Sequence, residues 1–293
     1  MPVPDSLQGF AVVEQAAAKI NLALHVVGQR DDGYHLLDSL VTFTRFGDRL
    51  GFSPAAEDRF TISGRFGAVL DADGDNLVTR ARDWLRAALA ERGQPAPPVH
   101  IHLEKNLPIA SGIGGGSADA AATLRGLVRL WQGRLPPDVL HAISISLGAD
   151  VPMCLAGHPL IARGIGEDIT PVALPAMPVV LGNPLVGVST PAVFKALASR
   201  HNPPLLLEPQ PQEWPAAIAR LRNDLEPPAR QLCPEISTIA DDLTATDARV
   251  VRMSGSGATC FALYNSMKAA EAAAAALSEK HPQWFFTATM TLE

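Results

Sequence analysis

The chain has 293 residues, is 47% hydrophobic and 18% charged, and carries a formal net charge of -6. That length suits two fused domains with a sizeable core. The 5% aromatic share and the acidic balance argue against stacking nucleic-acid surfaces and general polyanion binding, and still allow a small anionic ligand in one local pocket.

The opening MPVPDSLQGF has no basic region and no apolar run, and the first Lys or Arg is Lys19. Neither a signal peptide nor a membrane span is expected. Residues 18–27, AKINLALHVV, alternate: Ala18, Ile20, Leu22, Leu24 and Val26 share one face, and Lys19, Asn21, Ala23 and His25 the other. That pattern predicts a strand, with SLVTF as its partner beyond the turn QRDDGYH. NLVTRARDWLRAALAERG reads as a helix ending near Gly93, and VHIHLEKNL as a second alternating strand.

After a glycine-rich stretch, Ala120, Ala121, Leu124, Leu127, Val128 and Trp131 form a helical stripe. DVLHAISISLGA predicts a further helix stopped at Gly148. Pro-rich connections follow at 171–178 and 202–215. RVVRM and TCFALY then flank a glycine cluster, MKAAEAAAAALSEKH predicts a helix, and WFFTATMTL a closing strand. Strands and helices mix without regular βαβ alternation, so the expected class is α+β. A joint at ARGIGED predicts two domains, 1–165 and 166–293. Cys154, Cys233 and Cys260 are far apart with no CxxC, the pattern of reduced, partly buried thiols in a cytoplasmic protein.

Residues 107–124, LPIASGIGGGSADAAATL, place Gly112, Gly114, Gly115 and Gly116 directly before the striped helix. Glycine permits positive φ and close backbone approach, and a helix start offers unpaired N–H groups. Together they predict a phosphate site, with Gly115 expected to need both properties. A flexible linker or tight turn is the competing reading. Ser117-Ala118 replaces the Lys-Ser/Thr of a Walker A loop, Ser117 stands where a Rossmann fingerprint needs glycine, and HRD and DFG are absent. The loop therefore belongs to another class of nucleotide site.

PIASGIGGGSADAAATL resembles the phosphate loop of the GHMP kinases. AKINLALHVVGQRDDGYHLLDSL, DNLV, GADVP, GVSTPAVF, NDLE and MSGSGATCFAL resemble, in order, the branch of that superfamily that phosphorylates a cytidyl-diphosphate methylerythritol. The resemblance spans about residues 17–263. It implies a two-domain fold with the active site in the interdomain cleft, and ATP-dependent phosphorylation of the substrate 2-hydroxyl, with Mg2+. Relatives usually carry more glycine before the loop and a second hydroxyl after Ser117. Here Ala110-Ser111 and Ala118 stand there, so Ser117 is only a candidate for holding the metal.

By this resemblance Pro108, Ile109, Ala110, Ser111, Gly112, Ile113, Gly114, Gly115, Gly116 and Ser117 hold ATP, with Lys105 and Asn76 as further nucleotide-side candidates. Asp150 is the base taking the hydroxyl proton, although an isolated Asp there would read as an ordinary helix cap. Lys19, otherwise a snorkelling edge lysine, stabilises the alkoxide. Asn21 can hydrogen-bond the acceptor. Tyr34, His35 and Phe194 contact the base, and Thr190 is a further substrate contact. A homoserine- or mevalonate-type kinase and a catalytically inactive ligand sensor are the rival readings. DADGDN (71–76) begins like a calcium loop, but Asn76 and Arg82 fall where glycine and glutamate belong. His100 and His102 share a strand face with no evident third ligand for zinc.

Overall fold

In a computed structural model, residues 6–70, 76–208 and 211–293 are described. The calcium-like stretch, apart from Asn76, lies outside them. Helices and sheets are mixed as the pattern predicts. Two compact units divide the chain, and their segments alternate along it. The first holds the described residues up to Ala18, Gly47–Leu107 and Gly114–Ala156; the second holds Lys19–Phe46, Pro108–Ile113 and Gly157–Glu293. Two long strands, β1 (Val12–Gln29) and β2 (His35–Pro54), pass through both.

In the first unit, the end of β2 pairs antiparallel with β4 (Val99–Glu104), Arg49 opposite Glu104. β3 (Arg59–Ser63) pairs parallel with the other edge of β4. Helix α1 (Leu77–Ala90) starts where sequence places it, because the Asn76 carboxamide accepts from Val78 N and Thr79 N at 2.9 and 3.0 Å. It buries Val78, Ala81, Leu85 and Leu89 at helical spacing. Helix α2 (Gly115–Trp131) buries every residue from Ala118 to Leu124. It reaches the sheet at Gly126, where a Cβ would stand 2.3 Å from the Phe52 ring. Gly126→Ala is therefore expected to destabilise by about 1–3 kcal/mol through overpacking, read by urea denaturation. Helices α3 (Pro137–Leu147) and α4 (Val151–Ala156) follow, with the break at Gly148.

In the second unit, the first half of β2 pairs with β5 (Leu160–Gly164), and β5 with β6 (Asp168–Pro171). The glycines of ARGIGED turn the chain between these paired strands, with Gly164 and Gly166 at positive φ. Four antiparallel strands make the other sheet: β7 (Pro178–Asn183), β8 (Val250–Met253), β9 (Cys260–Leu263) and β10 (Phe285–Met290), in the order β10-β7-β9-β8. Short helices α5 (Thr190–Lys195), α6 (Trp214–Ala219) and α7 (Glu226–Leu232) fill the connections, and α8 (Glu235–Thr244) and α9 (Met267–Lys280) complete the unit. Val180, Ile236, Ile239, Leu243, Ala262, Ala270 and Leu277 close its core. All three cysteines are unbridged and buried.

Candidate functional site

Helix α2 begins with Gly114 in the left-handed region, φ +68, and no side chain caps its first N–H groups. Its first turn carries no acidic residue. That leaves donors and partial positive charge for an anion. Positive φ falls at Gly112 (+73), Gly114 (+68) and Ala110 (+51). Gly115 and Gly116 are instead helical, because α2 starts two residues earlier than the glycine run suggests. The expected need for positive φ at Gly115 is thus replaced by close approach alone: a Cβ there would lie 3.2 Å from Lys105 Nζ. Ser117 is half-buried in the first turn of α2.

The preceding half of the loop is stitched within the second unit. Lys19 N donates to Ile113 O at 3.0 Å, Thr259 N to Ser111 O at 3.1 Å, and Ser254 Oγ to Gly112 O at 3.2 Å. Ser111 Oγ donates to Pro108 O at 2.7 Å. Asn223 Nδ2 holds the carbonyls of Met253 and Gly255, each at 2.8 Å. Segments NDLE, MSGSG and the start of the glycine loop therefore form one hydrogen-bonded unit. Ile109 and Ala110 are exposed beside it.

Lys19 and Asn21 are both buried on β1. Lys19 Nζ donates to Asn21 Oδ1 at 2.9 Å, and Asn21 Nδ2 to Ser39 Oγ at 2.8 Å. Ser254 Oγ accepts from Asn21 N at 3.0 Å. A snorkelling lysine does not describe this ammonium, which sits inside a polar network. Ser39 and Ser254 are the residues that sequence reasoning missed. The signal for Ser254 was its place in the MSGSG cluster, whereas Ser39 gave none.

His35, at the start of β2, stacks on Phe194 of α5 with ring centroids 4.6 Å apart. Its Nε2 is buried without a hydrogen-bond partner. Burial and the nearby Arg200 charge push its titration below the usual histidine range, so the ring is neutral at pH 7. Tyr34 is 60% exposed beside it. The Thr190 hydroxyl meets that of Ser256 at 2.7 Å. The structure thus brings His35 to Phe194, and Thr190 to the MSGSG turn. Asp150 lies half-exposed before α4, with its carbonyl accepting from Cys154 N at 3.1 Å.

Lys105 is a nucleotide-side candidate by the resemblance. It is buried, donating from Nζ to Asp48 Oδ2 at 2.6 Å and Asp119 Oδ2 at 2.5 Å. Asn76 serves as the α1 cap described above. His100 and His102 bond to the hydroxyls of Thr61 and Ser63. Among the described residues, no three His, Cys, Asp or Glu side chains group to hold a metal, and no helix is long and apolar enough to cross a membrane.

Residues 76–158 match the family of GHMP kinases N terminal domains, and residues 204–283 that of GHMP kinases C terminal domains. A 4-diphosphocytidyl-2-C-methyl-D-erythritol kinase of Rhizobium etli is 61% identical over 100% of this chain and 99% of its own length. A Rhizobium meliloti protein of the same name is 59% identical, covering 97% of each. A solved 4-(cytidine 5'-diphospho)-2C-methyl-D-erythritol kinase superposes with a TM-score of 0.80 at 36% identity, over 96% of this chain and 99% of that one. A homoserine kinase from Cytophaga hutchinsonii shares the fold, with a TM-score of 0.67 at 17% identity over 98% and 96% of the two chains.

Proposed function

We infer the function from one premise: the chain belongs to the GHMP kinases, and within them to the 4-diphosphocytidyl-2-C-methyl-D-erythritol kinases. It transfers the γ-phosphoryl group of ATP to the 2-hydroxyl of that cytidyl substrate, a step in non-mevalonate isoprenoid synthesis. The observation that carries this is identity along the full length with relatives of that one name. Homoserine and mevalonate kinases of known structure share only the fold with this chain, at 10–17% identity. Purified protein should release ADP with the cytidyl substrate and not with homoserine or mevalonate. Release with either of the latter alone would reject the reading.

The proposed roles are those the resemblance implies, and the local geometry supports some of them. ATP phosphates lie on the loop from Pro108 to Ser117, with the uncapped start of α2 supplying donors. Lys105 and Asn76 support this side. Asp150 accepts the proton of the 2-hydroxyl as the phosphoryl group moves, and Lys19 stabilises the developing alkoxide. Asn21 holds Lys19 in place and faces the acceptor. Mg2+ is expected to arrive with the nucleotide and to lower the charge on its phosphates. The Ser117 hydroxyl, half-buried in the first turn of α2, would be a protein oxygen for it beside the phosphates. We place the protein in the cytoplasm. We also retain the division at residue 165 as a proposal for how the two domains share the chain.

Tyr34, His35 and Phe194 take the cytosine, with Thr190 as a further contact. His35 suits a base edge because its ring is neutral and its buried Nε2 has no protein partner. His35→Ala is expected to raise KM for the cytidyl substrate by the loss of about 0.5–1.5 kcal/mol and to leave KM for ATP nearly unchanged. Steady-state kinetics in both substrates check this, and equal effects on the two would make His35 structural.

A further inference from the structure

Arg200 lies in the loop that follows α5, and that loop is pinned to the end of β1. Asn202 N and Nδ2 donate to Val26 O at 3.1 and 2.9 Å, and Asn202 Nδ2 also donates to Ser199 O at 3.3 Å. Across the β1–β2 turn, Arg30 N donates to Tyr34 O at 2.8 Å, which fixes the chain just before His35. Arg200 is thereby held close to the His35 ring. Burial comes first and the Arg200 charge second among the causes that keep the titration of that ring low.

The guanidinium has no counter-charge. Its Nε is buried without a hydrogen-bond partner, and among the described residues no carboxylate pairs with it. Three carboxylates of the flanking segments are engaged by other arginines: Asp32 by Arg30 at 2.8 Å, Asp38 by Arg163 at 3.3 Å and Asp224 by Arg222 at 2.7 Å. An unpaired charge partly withdrawn from water costs free energy, so the fold alone gives no reason for an arginine here. A planar fork of donors suits a phosphate. The base is uncharged, and the neutral His35 ring already meets its edge. The anionic part of the substrate is its diphosphate.

We propose that Arg200 binds the diphosphate of the cytidyl substrate, adding a charge contact to the base contacts of Tyr34, His35 and Phe194. This rests on the reading of those three residues as the base site. His35 and Phe194 then read the base and Arg200 the anion. A cytidine without phosphates gains nothing from Arg200. A contact made equally before and during phosphoryl transfer shows in KM and leaves kcat alone.

NMR titration of cytidine and of cytidine diphosphate into wild type and Arg200→Met tests this. The variant should bind cytidine diphosphate roughly 10–100-fold more weakly and cytidine within about twofold of wild type, as expected for losing a hydrogen bond to a charged group. With the full substrate, KM should rise by a similar factor, with kcat and KM for ATP nearly unchanged. The melting temperature should not fall, because an unpaired guanidinium contributes no ion pair to the fold. Equal losses for the two ligands would make Arg200 a base contact, and no loss for either would leave it without a role; both overturn the proposal. Should Arg200→Met fail to fold, Arg200→Gln, which keeps a neutral donor, carries the same comparison. If the wild type binds neither ligand, the cytidyl reading of the pocket fails and the proposal falls with it. If the wild type binds both and the variant matches it, the proposal alone fails.

Discussion

Asp150→Asn is expected to lower kcat by roughly 10²–10⁴ while substrate binding is largely kept. The amide preserves shape and hydrogen bonding but cannot accept the hydroxyl proton. Lys19→Met should also lower kcat, because the buried ammonium that Asn21 Oδ1 holds at 2.9 Å would no longer face the forming alkoxide. If both act on one hydroxyl, the double variant loses much less than the product of the two factors. Single-turnover kinetics on the four proteins, with thermal melts to establish folding, measure this. Full multiplicativity would mean independent roles. A near-normal kcat in Asp150→Asn would remove it as the base.

Gly112→Ala should have the largest effect on stability, about 2–5 kcal/mol. The left-handed backbone at φ +73 costs an alanine about 1–2 kcal/mol. Its Cβ would also stand 2.6 Å from Gly257 O and 2.7 Å from Ser254 O, both rigid backbone atoms, adding about 1–3 kcal/mol of overpacking. ATP affinity should fall with it, because Gly112 O accepts from Ser254 Oγ in the contact that stitches the loop to the MSGSG turn. Urea denaturation of the variant and wild type gives the comparison. A loss under 1 kcal/mol would show that the turn can move aside. Ala110, already at φ +51, makes the converse case: Ala110→Gly removes a Cβ from left-handed backbone and should cost less than about 1 kcal/mol.

The strongly periodic elements were legible in the sequence. The run NLVTRARDWLRAALAERG gave α1 and the apolar stripe from Ala120 to Trp131 gave α2, whereas the capping role of Asn76 emerged only in the structure. The full reach of β1 and β2 was not legible. The run AAA at 16–18 hides alternation that the backbone continues from Val12, and β2 runs on past SLVTF through Gly47, where a Cβ would meet Ala16 O at 2.1 Å. The pairing of β5 with β6 was hidden because turn glycines and joint glycines look alike in one dimension. At the site, resemblance supplied Lys19 and Asn21, whereas their partners Ser39 and Ser254 lie 18 and 233 positions from Asn21. Asp48 and Asp119 gave no signal, since a buried carboxylate in an apolar stretch reads as surface until its lysine is found.

The account stands most directly on where the phosphoryl group goes. Purified protein incubated with ATP, Mg2+ and 4-diphosphocytidyl-2-C-methyl-D-erythritol should yield one ADP per product. Phosphorus NMR should then show a new phosphomonoester, coupled to carbon 2 of the methylerythritol unit. A phosphate on any other hydroxyl, or turnover that needs no cytidyl substrate, would contradict it.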